Sequence, residues 1–285
     1  MPKKSVFRDE KPKYVEAFIY PFNLMFRQPK VMLLGVLNWI PALVFTYVLY
    51  SFLLKYPILG QLFVEGMGNK DAMAKFMPLF VTALTDFLPF ITFALLLGAF
   101  ILLINSLAFT QIVIDRRTHE EHVEKISIGK ALGTALANWI PMAGAYLWFI
   151  LASFLLLAAF IVLFALGGAL GRIGLIIIIP AAVGAIILMF VLLIASWIIE
   201  PVFLMEKMRG RACARAAFAF AWNNKLRGSL LMIAYSVAYI VLGGIAGKFG
   251  ESPYFPVALS MLAGLPVYAW AHMVGPELYY ELKKK

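Results

Sequence analysis

From Gly174 to Pro201 the chain reads GLIIIIPAAVGAIILMFVLLIASWIIEP, with Glu200 its one charged side chain. A helix needs about 20 mostly apolar residues to cross a bilayer, and this run exceeds that. Similar runs lie on either side of it, at Val31 to Leu54, Phe87 to Val113, Ile140 to Leu166, Ser229 to Gly247 and Tyr254 to Val274. Together they predict an all-α fold, a polytopic membrane helix bundle with six transmembrane helices.

Composition leads to the same class. With 63% hydrophobic residues, 14% charged residues and a mean hydropathy of +0.88, a soluble fold of 285 residues would lack the polar surface to cover itself. Once six spans are subtracted, no remaining segment is long enough to bury a core of its own. Residues 1–285 are therefore expected to form a single integral membrane domain.

Basic residues are sorted between alternate links. Twenty Lys and Arg fall in the N-terminal segment, the links between spans 2 and 3 and between spans 4 and 5, and the tail; five, Lys55, Lys70, Lys75, Arg172 and Lys248, fall on the other side. Basic flanks are retained on the cytoplasmic face, which predicts a plasma (cytoplasmic) membrane protein with both termini cytoplasmic. The net charge of +10 is explained by this excess and its attraction to anionic lipid headgroups. Nucleic acid is excluded as a partner because the basic residues are scattered and carry no recognition motif. Met1 to Lys13 is too charged to be a cleavable signal, and the apolar span after it is too long. The lone cysteine, Cys213, rules out an intrachain disulfide.

Three amphipathic segments precede the odd-numbered spans. In the first, Lys13, Glu16, Tyr20, Asn23 and Arg27 oppose Val15, Phe18, Ile19, Phe22, Met25 and Phe26. In the second, Ser127, Lys130, Thr134 and Asn138 oppose Ile128, Ala131, Leu132, Ala135 and Leu136. The third, Arg211 to Trp222, sets Arg211 and Arg215 against an Ala and Phe surface suited to helix packing as well as lipid. A cytoplasmic interfacial helix followed by a hairpin of spans would make the chain a three-fold tandem repeat. On the outer side, Met73, Phe76, Met77 and Phe80 against Asp71 and Lys75 predict another surface-lying helix.

Few side chains in the spans offer chemistry. Asp86, Glu200 and His272 lie near span ends and are expected to reach an interface. Asn38, Asn105, Ser106, Gln111, Ser153 and Ser196 are the main uncharged polar groups of the interior, and Asn38, Asn105 and Gln111 with Glu200 and His272 are the candidate bundle or pathway residues. Proline enters the spans at Pro41, Pro89, Pro141, Pro180 and Pro266, where each removes a backbone donor. His119 and His122 are three apart, not the four of a zincin helix, and belong to a charged turn. Gly243 to Lys248 lacks the spacing and final Ser or Thr of a phosphate loop. No catalytic, cofactor or metal site is predicted, and the chain is expected not to be an enzyme.

The run Ser196 to Glu206, followed by basic and glycine residues, Ala212 to Trp222, Asn223 and Gly228, resembles a widespread uncharacterised family of six-span prokaryotic membrane proteins. Relatives of that family include the membrane domain preceding some glycerophosphodiester phosphodiesterases. The resemblance implies a six-helix membrane fold and no catalytic residues. The aromatic helix Tyr14 to Phe26, Gln28-Pro29 and the following span are similar to the sulfate-permease family over the first sixth of the chain.

The expected role is non-enzymatic, in membrane or lipid organisation or as a membrane-embedded partner of other proteins or of its own copies. The rivals are a permease or channel for a small solute, needing a polar cavity, and a membrane-bound lipid enzyme, needing converging acids, histidines or a metal.

Overall fold

The computed structural model describes residues 14–59, 61, 70–118, 127–248 and 256–283. Among these residues the chain is helical throughout and has no strand. The helices are α1 (Tyr14–Arg27), α2 (Leu33–Val36), α3 (Trp39–Lys55), α4 (Lys70–Thr118), α5 (Ile128–Ala169), α6 (Leu175–Met205), α7 (Gly210–Asn223), α8 (Lys225–Lys248) and α9 (Pro256–Lys283), with 3-10 turns at Pro29–Met32 and Gly171–Gly174.

Five helical stretches are long and apolar enough to cross a membrane: Pro29–Lys55, Met73–Thr118, Ile128–Ala169, Leu175–Met205 and Lys225–Lys248. Only 6% to 17% of the most apolar window of each is buried. Side chains such as Leu147, Phe154, Ile161, Ile176 and Ile240 face outward. In water such continuous apolar surface would drive association, so this is the character of a membrane protein. The sixth expected span forms α9, which does not reach the apolarity of the other five. Its inner face instead buries Ala269, Trp270, Met273, Val274 and Leu278 against protein, so neighbouring helices supply much of the apolar environment that lipid gives the others.

The helices group into two packing units, Leu34–Asn105 and the remainder, Met1–Leu33 with Ser106–Lys285. In the first, Val48 of α3 packs with Phe87 and Ala94 of α4, flanked by Val44, Phe52, Tyr56 and Ile91. Phe52 meets Phe87 edge-on at 5.3 Å. Lys55 reaches Asp86 at 2.9 Å, and Tyr56 donates to the same carboxylate at 2.5 Å. Asp86 is exposed.

In the larger unit α5, α6 and α7 pack together through small residues, Ala131, Ala135 and Ala145 of α5 with Cys213, Ala214, Ala217 and Ala221 of α7, against Ile194, Ile198 and Val202 of α6. Small side chains let backbones approach closely. The turn from α5 into α6 depends on the same property: a Cβ on Gly174 would overlap the Gly167 carbonyl. On the other flank α9 packs on α1 and α8.

Three surface helices were expected, and the structure revises each. The second segment is not separate: Ser127 caps it, accepting from the Lys130 N–H at 3.3 Å, and helix then runs unbroken through Asn138 into the span. The third, α7, is a distinct helix but buries its alanine face on α5 and α6. The first, α1, turns Glu16 and Tyr20 towards protein and leaves Val15, Ile19 and Phe26 exposed, because Tyr20 lies under Arg116 and Arg117, 4.1 and 5.0 Å from their guanidinium carbons. The outer segment around Met73 to Phe80 is likewise the start of α4. At 1.5 Å per residue the 49 residues of α4 extend about 74 Å, well beyond a bilayer of about 40–45 Å with its headgroups.

Prolines within α4, α5, α6 and α9 are carried without a break in helix. Pro41 differs. The chain turns at Leu37 and Asn38, and α3 starts at Trp39, so Pro41 sits in a first turn where a missing N–H costs nothing.

Candidate functional site

Residues of four helices of the larger unit line one cavity of about 340 Å³. Helix α6 contributes Ser196, Trp197 and Glu200; α8 contributes Tyr235 and Tyr239; α9 contributes Tyr268, Ala271, His272, Gly275 and Pro276; and Ser106 comes from α4. The spacings explain the convergence. Ser196 and Glu200, Tyr235 and Tyr239, Tyr268 and His272, and Ala271 and Gly275 are each four apart, so each pair lies on one face of its helix.

Glu200 is the charged member, and its carboxylate is buried. It does not reach an interface as expected, because it is enclosed by protein and the Tyr146 hydroxyl of α5 donates to Oε1. The other two buried carboxylates, Glu277 and Glu281, are held by Arg117, whose Nε is 2.9 Å from Oε2 of Glu277 and whose Nη2 is 3.0 Å from Oε1 of Glu281. Arg116 adds a pair to Glu277 at 2.6 Å.

The wall is largely aromatic. Trp197 meets Tyr235 edge-on at 4.1 Å, Tyr235 stacks on Trp270 at 5.4 Å, and Trp270 stacks on Phe22 of α1 at 5.8 Å. His272, half-buried, lies flat on Phe109 at 5.6 Å and beside Tyr268 at 4.6 Å. Gly275 brings α9 close to α6: a Cβ there would stand 3.4 Å from the Trp197 carbonyl oxygen.

Two prolines alter the backbone of this wall. Pro201 has no N–H for the carbonyl four residues earlier, that of Trp197, and Pro276 has none for that of His272. Both Trp197 and His272 line the cavity.

Of the residues singled out from sequence, Glu200 and His272 meet here with the interior serines Ser106 and Ser196, and Asn38, Asn105 and Gln111 do not. Gln111 spends its amide on Asp115, at 2.7 Å. Asn38 donates to the Gly35 carbonyl at 3.4 Å in the turn before α3. Asn105 belongs to the smaller unit, fully buried, with no hydrogen bond to either amide atom. His119 and His122 lie outside the described residues, among which no group of three or more His, Cys, Asp or Glu converges as for a metal.

Beyond the cavity, Glu206 follows α6 and meets Lys283 at 2.6 Å and the Tyr279 hydroxyl. Burial works to raise its carboxyl, but those two bonds outweigh it and hold the group below the usual carboxylate value. Burial pushes the Cys213 thiol up to about 12. The thiol donates to the Ile199 carbonyl, at 3.5 Å.

Tyr235, Tyr239 and Tyr268 escaped sequence reasoning because a tyrosine in a membrane helix ordinarily marks an interface. Their four-residue spacings were the available signal. Set against family models, curated proteins and solved structures, the chain matches none.

Proposed function

We propose that this chain is a non-enzymatic integral membrane protein that admits a small solute into the cavity of its larger unit, the permease-like alternative among the roles expected from sequence. The observation that carries this reading is the buried Glu200 at the wall of a cavity of about 340 Å³. A carboxylate within a helix apolar enough to cross a membrane is costly and ordinarily marks a pathway or binding site. The volume falls at the small end of ligand cavities, about 300–1,000 Å³, and proline-interrupted helices at a binding site are a recurrent transporter device.

In this reading α9 is a sixth crossing. Its 28 residues extend about 42 Å, enough for a bilayer. Six crossings place both termini on one side, and the lysine and arginine excess makes that side cytoplasmic in a prokaryotic plasma membrane. The hairpins α3–α4, α5–α6 and α8–α9 form the tandem arrangement, with an amphipathic helix before the first and third and an amphipathic first part of α5 in the second. Anionic lipids surround the basic ends.

Uptake into sealed vesicles tests the proposal, using a panel of labelled small solutes of each charge with wild-type protein, Glu200→Gln and protein-free controls. At least one solute is expected to enter wild-type vesicles at several times the control rate and to slow with Glu200→Gln. Rates equal to the control for every solute would return the lipid-organising reading.

A further inference from the structure

Resting on the cavity reading above, we propose that the cavity binds a small primary ammonium ion, a cation of the alkylamine class, with Glu200 as its counter-charge. Charge accounting is the first argument. Glu277 and Glu281 are balanced by Arg116 and Arg117, whereas the donor to Glu200 is the neutral hydroxyl of Tyr146. No described Lys or Arg pairs with it. A buried carboxyl held only by neutral donors stays protonated until a cation completes it.

The second argument is hydrogen-bonding capacity. A primary ammonium carries three N–H donors and no acceptor. Acceptors on the wall residues are in surplus: the Glu200 side chain is one, and Pro201 and Pro276 deprive the Trp197 and His272 carbonyls of their helical donors. Ser196 has already donated its hydroxyl proton to the Leu193 carbonyl, at 2.7 Å, and so presents lone pairs as well. A quaternary ammonium would leave these acceptors unused, and an anion would meet them with repulsion.

Aromatic faces complete the match. Trp197, Tyr235 and Tyr268 are suited to hold a cation through their ring quadrupoles and to cover a short alkyl chain. The cavity has room for only a small molecule.

Calorimetric titration of the full chain in dodecyl maltoside micelles tests this with three probes of similar size: propylammonium, 1-propanol and propionate. Propylammonium is expected to bind at least tenfold tighter than the other two. Glu200→Gln, which keeps an oxygen for Tyr146, should weaken propylammonium at least tenfold and leave propanol within about twofold. Should that variant fail to fold, Tyr268→Leu, which removes one aromatic face, is expected to weaken propylammonium severalfold. Competition by short-chain phosphatidylethanolamine would identify a lipid headgroup as the source of the ammonium; its failure to compete would identify a free amine. Propanol or propionate binding as tightly as propylammonium overturns the ammonium assignment while leaving the cavity reading in place. Binding by none of the three removes both.

Discussion

Replacing Arg117 by Met removes the cation that joins the end of α4 to the end of α9. Its side chain is only 5% exposed, and its partners Glu277 and Glu281 are 1% and 0% exposed. It also lies over the Tyr280 ring, 4.4 Å from the centroid. Breaking a buried pair by removing one partner costs about 3–5 kcal/mol, because the remaining charge stays out of water. Arg116 still reaches Glu277 at 2.6 Å, so the expected loss lies at the lower end, about 3 kcal/mol. That corresponds to a shift of roughly a hundredfold in the folding equilibrium. Equilibrium unfolding in mixed detergent micelles, titrated with dodecyl sulfate, measures it. The double variant Arg117→Met with Glu281→Met leaves the Arg116–Glu277 pair and removes a second buried charge, so it should recover most of the loss. A loss under about 1 kcal/mol, the value of an exposed pair, would refute the reasoning, as would a double variant no more stable than the single one.

Two further outcomes follow from groups outside the crossing segments. Cys213 is buried with its thiol pushed up to about 12, so maleimide labelling at pH 7 is expected to be at least a hundredfold slower in the folded protein than after denaturation by dodecyl sulfate; equal rates would show that α7 does not stay packed. Glu206 is held below the carboxylate value of 4.5, so its contribution to stability is fully present above that pH and is lost as pH falls through its lower folded-state value. The difference in thermal midpoint between wild type and Glu206→Gln should therefore be constant from pH 7 to about 5 and shrink below 4.5; a difference that grew on acidification would contradict the assignment.

The helical character and the apolar crossings were legible because lipid imposes a length and a composition that can be read along the chain, as in Gly174 to Pro201. Helix continuity was not. Met73 to Phe80 and Ser127 to Asn138 carry amphipathic patterns that suit a separate surface helix or the protruding turns of a longer one, and nothing local distinguishes them. α9 looked like one more span, yet its Trp270, Tyr279 and Glu277 are enclosed by protein, a partner no composition window registers. At the site, Glu200 and His272 stood out for being ionisable. Their convergence with Ser106 and Tyr146 depends on helix order around the bundle, which requires tertiary contacts. Gln111 shows the converse error: its nearest partner, Asp115, was four residues away.

The indole of Trp270 donates to the Phe18 carbonyl at 2.8 Å across 252 positions of sequence. α1 is therefore synthesised well before the helix it docks against. Until α9 is made, α1 lacks the Trp270 bond and the Phe22 stacking that later hold it. A nascent chain arrested before residue 256 would leave α1 undocked, giving quality-control proteases a feature by which to distinguish an unfinished molecule from a finished one.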